Sequence, residues 1–393
     1  MATSESVKVA VRVRPFNQRE KDANSKCIVR MKGPVTTLLS PDGPRGKKEF
    51  QFDHSYWSHD GFEADDEGYN RAGGPSSQYG AQYASQQSVY EDLGVGMLDN
   101  AWQGFNCAMF AYGQTGSGKS YSFVGYGANR GILPLACTEI FSRISSAQSD
   151  SHVFRVSCAM MEIYGRELRD LLSPKTKSEL KIRNGKSGTY VQGLKKTAVS
   201  SYAEIEKVQE VGTSNRTVGA TLMNATSSRA HTIVSISLTQ LISDGGRGGG
   251  GAGGGHVKEM TSDIVLVDLA GSERAESTGA TGARLKEGIE INVSLSALGN
   301  VISALAEKAN SPTKKVFVPC TPSEKELDPS IPKSAYSALL CSVHQPRLQL
   351  TRSRPPTPRN RPLARAHRAA PVGAGRQLED RDGRRRLARL DQL

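Results

Sequence analysis

A short segment about a third of the way along the chain constrains its fold more than any other. Residues 113–120 follow the pattern G-x-x-x-x-G-K-S, and the apolar residues 108–112 before them predict a short buried strand. Glycines let such a loop curl so that successive amides point inward, and a helix beginning near Gly118 adds the positive end of its dipole. The segment therefore predicts a cradle for the phosphates of a nucleoside triphosphate. A glycine-rich surface turn is the alternative.

The residue types in this loop indicate separate roles. Lys119 would neutralise the β- and γ-phosphates, and the Ser120 hydroxyl would ligate Mg²⁺. The loop backbone would bind the remaining phosphate oxygens. The predicted phosphate-binding residues are Gly113, Gln114, Thr115, Gly116, Ser117, Gly118, Lys119 and Ser120.

Elsewhere the hydrophobic pattern alternates between the strand period and the helix period. Strands are predicted at 7–14, 51–56, 108–112, 153–164, 231–241 and 263–268. Helices are predicted at 89–103, from 118, from 131, at 204–211 and at 285–308. Interleaved strands and helices around a phosphate loop predict an α/β fold, with a central, mostly parallel mixed sheet covered by helices on both faces.

Two segments are predicted to connect these elements. Residues 58–87 are polar and contain several glycines, which predicts a long surface loop. Residues 245–255 contain nine glycines in eleven positions, which predicts a flexible linker between two strands.

The basic residues are concentrated at the C-terminal end. Residues 345–393 contain thirteen Arg and four acidic residues, which is +9 of the total formal charge of +12. We therefore predict a folded domain at 1–344 and a basic, Arg- and Pro-rich, disordered tail at 345–393. Such a tail could bind nucleic acid, acidic protein tails or membranes. The alternative is sequence translated in the wrong frame, or an alternative exon.

Cysteine usage and hydropathy suggest a cytoplasmic location. The sequence contains no C-x-x-C pair, no apolar leader and no apolar run of about 18 residues, so neither secretion nor a membrane span is expected. The cysteines are predicted to be reduced core thiols. They are Cys27, Cys107, Cys137, Cys158, Cys320 and Cys341.

Three further motifs accompany the phosphate loop in a fixed order. The four are V-R-V-R-P at 11–15, F-A-Y-G-Q-T at 110–115, N-A-T-S-S-R-A-H at 224–231 and V-D-L-A-G-S-E-R at 267–274. Together they closely resemble the kinesin motor domain, from about residue 7 to residue 319. The segments Y-W-S-H-D at 56–60 and V-G-Y-G-A-N-R-G at 124–131 further resemble the kinesin-three subclass of vesicle transporters.

The resemblance implies a position for the nucleotide base. In kinesins, the residues that match Arg12, Arg14 and Pro15 hold the adenine. Tyr121 matches the position where an aromatic ring or a His stacks on it. Without the resemblance, the two arginines would be interpreted as the solvated face of an edge strand.

The resemblance also implies two switches that sense the γ-phosphate. In switch I, Ser228 would complete the Mg²⁺ shell and Arg229 would lie beside the γ-phosphate. In switch II, Asp268 would reach Mg²⁺ through water, the Gly271 amide would sense the γ-phosphate, and Glu273 would pair with Arg229 only when that phosphate is present. Asn224 also belongs to switch I. The implied catalytic residues are Lys119, Ser227, Ser228, Arg229, Asp268, Gly271 and Glu273. An ordinary surface ion pair is the alternative for Arg229 and Glu273.

One position departs from the family pattern, which usually has S-S-R-S-H in switch I. Position 230 is Ala in this chain. Loss of a hydroxyl removes a hydrogen bond worth about 1 kcal/mol rather than a charge, so catalysis is expected to survive.

In kinesins, the helix after switch II and its flanking loops contact the microtubule. The outer surface of tubulin is acidic, so basic side chains between 274 and 319 are candidate contacts that would steer binding in a salt-dependent way. These candidates are Arg284, Lys286, Lys308, Lys314 and Lys315. The alternative is that they are ordinary solvated charges.

The resemblance therefore implies an ATP hydrolase that uses Mg²⁺ and moves along microtubules in the cytoskeleton. After residue 319 the chain departs from the family pattern. Pro322, Pro329 and Pro332 make a continuous helix unfavourable in this segment. No neck linker or coiled-coil repeat is recognised there. The alternative is therefore a truncated or non-motile protein that binds nucleotide but lacks part of the microtubule-binding surface.

Overall fold

The fold follows the predicted alternation of strands and helices. A computed structural model describes residues 7–40, 46–73, 77, 79, 81–165, 167–174, 180–185, 188–222, 229–243, 257–273, 295–304 and 307. The helices are α1 (Gln18–Asp22), α2 (Gln86–Trp102), α3 (Lys119–Phe123), α4 (Ile132–Ala147) and α5 (Tyr202–Leu222), and residues 295–304 are also helical. The first strands are β1 (Ala10–Val13), β2 (Val29–Lys32), β3 (Val35–Leu39), β4 (Lys47–Gln51), β5 (His54–Trp57), β6 (Phe62–Ala64), β7 (Asn70–Ala72) and β8 (Cys107–Ala111). The remaining strands are β9 (Gly125–Tyr126), β10 (Asn129–Arg130), β11 (His152–Tyr164), β12 (Glu167–Asp170), β13 (Lys181–Gly185), β14 (Gly188–Gln192), β15 (Thr197–Val199), β16 (Ala230–Ser243) and β17 (Val257–Asp268).

The main sheet is mixed, in the order β12-β11-β16-β17-β8, with β15 paired to β11. It differs from the sequence prediction in one respect: β11, β16 and β17 pair antiparallel, and within this sheet only β17 and β8 are parallel among the described strands. β16 and β17 are consecutive in the sequence, and the glycine-rich sequence between them has no helical pattern that could form the crossover needed for parallel pairing. The α/β class with a mixed sheet is confirmed.

Apolar side chains cover both faces of this sheet. On one face, α2 and α4 pack on the central strands, and Leu98, Ile140, Ile236 and Leu266 are at most 1% exposed. On the opposite face a second cluster includes Leu298 from the helix at 295–304. Helices on both faces are therefore confirmed.

The pairing of β8 with β17 brings two functional segments together. The strands run parallel, with Ala111 opposite Asp268 at their carboxyl ends. β8 leads into the phosphate loop and β17 leads into the predicted switch II, and parallel strands end at the same edge of a sheet. The amide of Ser272 donates to the Gly113 carbonyl at 3.2 Å, so the two segments touch just beyond the strands.

Three sequence predictions near the N-terminus are corrected. The first strand is shorter than 7–14, because Val7 and Val9 are 38% and 45% exposed and only residues 10–13 pair, with β5. The predicted strand 51–56 is two strands, β4 and β5, with a break at 52–53 where the chain changes from one sheet to another. The predicted loop 58–87 contains the β6–β7 hairpin and the start of α2.

The described cysteines agree in part with the prediction of core thiols. Cys137 and Cys158 are buried, whereas Cys27 and Cys107 are partly exposed. Burial raises the pKa of the Cys158 thiol to about 12, so it stays protonated.

Several predictions fall outside the described residues. They are the linker at 245–255, most of the helix at 285–308, and the boundary at 344 with the tail beyond it. In the described part of the chain, no helix is long and apolar enough to cross a bilayer. The described residues also contain no group of three or more His, Cys, Asp or Glu arranged to hold a metal ion.

The stability of the main sheet depends on the burial of its central strands. Leu266 lies in the middle of β17, between β16 and β8, and is fully buried. We expect Leu266→Ala to lower the free energy of unfolding by about 2–5 kcal/mol, because it leaves a cavity between the sheet and the helices α2 and α4. Val257, on the same strand, is 57% exposed, and Val257→Ala should change stability by less than about 0.5 kcal/mol. Urea unfolding measures both, and equal effects would contradict this account of the core.

Candidate nucleotide-binding site

The phosphate loop adopts the strand, loop and helix arrangement predicted for it. β8 ends at Ala111 and α3 begins at Lys119, with Gly118 as the N-cap. Gly116 and Gly118 have φ values of 77° and 96°, a left-handed region that glycine enters without strain. The glycines of the motif are thus used as the sequence predicts.

Lys119 is folded against the loop itself. Its ammonium donates to the carbonyl oxygens of Gly113 at 2.8 Å and Gln114 at 3.0 Å. Burial lowers the pKa of Lys119, while the carboxylates of Asp268 and Glu273 oppose this change. The ammonium therefore lies where the loop and both switch II carboxylates converge, as a phosphate-binding cation requires.

The Ser120 hydroxyl contacts the acid that ends β17. Ser120 Oγ donates to Asp268 Oδ2 at 2.7 Å. The second oxygen, Asp268 Oδ1, is buried and has no hydrogen-bond partner among the described residues. Hydroxyl and carboxylate oxygens are the hard ligands that Mg²⁺ prefers, and a buried carboxylate oxygen without a donor is suited to bind a cation or its water. These residues therefore fit the predicted Mg²⁺ site.

Glu273 bridges switch II to the phosphate loop. The Thr115 backbone amide donates to Glu273 Oε2 at 2.8 Å, and the Thr115 hydroxyl donates to Oε1. Burial works against ionisation of Glu273, but these hydrogen bonds outweigh it and lower its pKa. A side chain at Gly271 would collide with the Glu273 carboxylate and the Thr115 hydroxyl, which explains the glycine there.

The predicted pair of Glu273 with Arg229 stays a prediction. It belongs to the state with a γ-phosphate, whereas here both Glu273 oxygens accept hydrogen bonds from Thr115. Arg229 is described and lies immediately before β16, and the other predicted switch I residues, Asn224, Ser227 and Ser228, lie outside the described part of the chain.

On the base side, Arg12 and Tyr121 lie next to each other. The Arg12 guanidinium carbon is 5.3 Å from the centre of the Tyr121 ring. Arg12 also donates to Ser58 Oγ at 2.9 Å and to Gln86 Oε1 at 2.6 Å. Burial lowers its pKa, and nearby tyrosines oppose that effect. The Arg12 guanidinium is therefore held in place by hydrogen bonds to Ser58 and Gln86.

Arg14, which follows the last residue of β1, binds the backbone of the phosphate loop. Its Nε donates to the Gly116 carbonyl at 2.7 Å, and its two terminal nitrogens bind the Glu20 carboxylate at 2.7 and 2.8 Å. This hydrogen-bonded pair lowers the pKa of Glu20 to about 2. Pro15 follows and is exposed. The structure thus brings Arg14 to the loop and Arg12 to Tyr121 just after it, and the contact of these residues with adenine stays a prediction.

His231 is buried behind the loop. It is 2% exposed, and its Nδ1 accepts a hydrogen bond from the Ala270 amide at 3.1 Å. Burial, together with the nearby Lys119, lowers the pKa of His231 from 6.5 to about 4. Ala230, the departure from the family pattern, is also buried, at 3% exposure.

The buried His231 predicts a pH dependence of stability. Because its folded-state pKa lies below the unfolded value of 6.5, the unfolded chain binds more protons between about pH 4 and 6.5. This contribution is present in full above pH 6.5 and decreases as the pH falls toward 4. The free energy of unfolding should therefore decrease from pH 7 to pH 5, by about 1–2 kcal/mol from this group. The decrease should shrink in His231→Gln, measured by chemical denaturation, and an unchanged pH profile in that variant would contradict the assignment.

The sequence analysis missed Gln86, Glu20 and His231 as parts of the site. Gln86 fell inside the predicted surface loop, and its 2% exposure depends on contacts with distant segments. The pattern N-x-x-E at 17–20 was a usable signal, because Asn17 and Glu20 form a capping box at the start of α1. That motif presents Glu20 to Arg14.

The arrangement defines a class of protein. A phosphate loop between β8 and α3, with its serine bound to the acid at the end of the adjacent parallel strand, is the site of a P-loop NTPase fold. Such a site positions a triphosphate and a cation, and it can place charge around a γ-phosphate.

Comparisons with known proteins identify the family. The kinesin motor domain model matches residues 12–324. Kinesin-related protein 1 of Dictyostelium discoideum is 48% identical over 330 residues, covering 80% of this chain and 14% of that protein. Kinesin-like protein KIF1A of Rattus norvegicus is 47% identical over 313 residues, covering 79% of this chain and 17% of that protein. The chain belongs to the kinesin motor domain family.

A solved structure of KIF14 residues 391–755, with ADP and in complex with a microtubule, shows the same fold. It matches with a TM-score of 0.67 and 34% identity, over 91% of this chain and 99% of that one. The predicted relation to the kinesin-three subclass is confirmed by KIF1A. The chain spans less than a fifth of the length of the two curated relatives.

Proposed function

We propose that this chain is a kinesin-type motor that hydrolyses Mg-ATP and couples hydrolysis to movement along microtubules. The observation that carries the proposal is the contact of switch II with the phosphate loop, through the Asp268 bond to Ser120 and the Glu273 bonds to Thr115. A γ-phosphate bound in the loop would compete with the two carboxylates for the Ser120 hydroxyl and the Thr115 amide. The site can therefore exist in two arrangements that nucleotide selects between.

For hydrolysis, this chain's own residues supply positioning and charge. The Lys119 ammonium would exchange its hydrogen bonds to the two loop carbonyls for contacts with the phosphates. The loop amides would bind the phosphate oxygens. Mg²⁺ would be held by Ser120 and Ser228, with Asp268 linked to it through water, and would neutralise charge on the phosphates. Glu273, released from Thr115, would pair with Arg229 and close the two switches over the γ-phosphate.

Microtubules are the proposed partner, with a cytoplasmic location on the cytoskeleton. Support comes from the family and from KIF14, whose solved structure is a complex with a microtubule. We assign tubulin contacts to the basic side chains after switch II, which lie outside the described residues. They are Arg284, Lys286, Lys308, Lys314 and Lys315.

The alternative of a truncated, non-motile protein is not favoured. The family match continues slightly past residue 319, where the sequence resemblance was predicted to end. A gliding assay with the full 393-residue chain fixed to glass tests the proposal directly. We expect ATP-dependent filament movement that stops at high salt, because the proposed contacts are charged. Filaments that bind but do not move in ATP would support the alternative.

A further inference from the structure

Gln86 is a buried amide at the beginning of α2. It is 2% exposed and is the first residue of the helix, next to the buried N-cap Ser85. Its neighbour Gln87 is exposed. Among the described residues, the Gln87 side chain forms one hydrogen bond, to Glu91 of the same helix at 3.0 Å. Burial of an uncharged amide is costly unless its donors and acceptor are all used.

The Gln86 amide uses both its oxygen and its nitrogen to join three other elements, β1, α3 and β10. Its oxygen accepts from the Arg12 guanidinium at 2.6 Å, and its nitrogen donates to the carbonyl oxygens of Tyr121 at 2.6 Å and Asn129 at 3.2 Å. A flipped amide would place oxygen against two carbonyls and nitrogen against a cation, so the partners determine its orientation. Gln86 therefore helps to fix the spacing of β1 and α3, together with the direct hydrogen bond from Arg12 to Ser122 Oγ at 3.1 Å.

These two segments carry the residues assigned to the base. Arg12 and Tyr121 come from β1 and α3, and the guanidinium lies 5.3 Å from the ring centre. Gln86 has no hydrogen bond to residues 113–120, which form the phosphate loop. A change at Gln86 should therefore disturb the base side of the site and leave the phosphate side intact.

We propose that Gln86 is a positioning residue for base recognition, which holds the Arg12 guanidinium against the Tyr121 ring and so fixes the orientation in which that ring meets a purine. This inference rests on the proposed nucleotide-binding function and deepens it. Gln86 acts through its two partners and does not itself touch the phosphates. It links the start of α2 to both residues assigned to the base.

The test compares Gln86→Glu with Gln87→Glu in the full chain. Glutamate at 86 keeps an acceptor for Arg12 but loses the donor to Tyr121 and places an oxygen against its carbonyl. Calorimetry would measure the dissociation constants of Mg-ATP and of Mg-tripolyphosphate, which has phosphates and no base. We expect Gln86→Glu to weaken ATP binding about tenfold or more, with tripolyphosphate binding within about twofold of the unmodified chain. Gln87→Glu should change neither.

Steady-state kinetics give a second readout. The KM for ATP should rise in Gln86→Glu, with kcat at saturating ATP nearly unchanged, because positioning of the base is lost and phosphate chemistry is not. If both ligands weaken equally, or if neither weakens, the proposal is wrong. If Gln86→Glu does not fold, Gln86→Met removes the amide without adding a charge and carries the same expectations. Failure of the unmodified chain to bind ATP would instead refute the proposed function.

Discussion

Lys119→Ala is expected to reduce affinity for Mg-ATP and the rate of its hydrolysis by roughly 100-fold or more, the scale expected when a preorganised charge is removed from a phosphate site. The ammonium lies 2.8 Å from the Gly113 carbonyl and 3.0 Å from the Gln114 carbonyl, within the field of two carboxylates. Alanine would remove the cation that offsets phosphate charge and would leave two loop carbonyls without their donor. Binding of a fluorescent nucleotide and phosphate release measure the two effects.

The matched control is Lys47→Ala. Lys47 is on β4, its side chain is 68% exposed, and its described ion pair is with Glu49 on the surface. It should bind and hydrolyse ATP like the unmodified chain, because an exposed pair contributes little. Normal turnover in Lys119→Ala would contradict the assignment of the phosphate loop.

Glu273→Ala is expected to keep nucleotide binding and to lose microtubule-stimulated turnover by roughly 100-fold or more. The carboxylate is not needed to hold the β-phosphate, but it is the group that switch II offers both to Thr115 and, in the proposed closed state, to Arg229. Without it, the two switches cannot close over the γ-phosphate. Nucleotide affinity and turnover, measured on the same preparation, separate these effects.

Glu273→Gln sharpens this test. An amide oxygen can still accept from Thr115, but the amide carries no charge for Arg229. Loss of turnover in both variants would assign the role to the Arg229 pair, whereas normal turnover in Glu273→Gln would assign it to the neutral contact with Thr115. Glu259→Ala, at an exposed position on β17, is the control and should behave like the unmodified chain.

The phosphate loop and the strands around it could be predicted because their signals are local. The pattern at 113–120 places Lys119 and Ser120 by itself, and the apolar run ending at Asp268 predicts a buried strand with an acid at its end. The structure joins these two predictions in one hydrogen bond. The burial of a continuous apolar run and the conformational freedom of glycine both depend on residues that are adjacent in the sequence, so a local pattern predicts them.

Other parts depend on contacts that no local pattern records. Thr115 and Glu273 are 158 positions apart, and the position of Glu273 on the loop follows from the pairing of β8 with β17. Gln86 was assigned to a surface loop because its polarity suggested exposure, and only the folded chain shows Arg12 and Tyr121 on either side of it. The Arg229 pair depends on a bound γ-phosphate.

The most direct test of the central claim, that this site couples ATP hydrolysis to microtubules, is the rate of phosphate release from the full chain with increasing microtubule concentration. We expect a slow basal rate that rises to saturation with microtubules and disappears in Lys119→Ala. A chain that binds Mg-ATP with the same turnover at every microtubule concentration would contradict it.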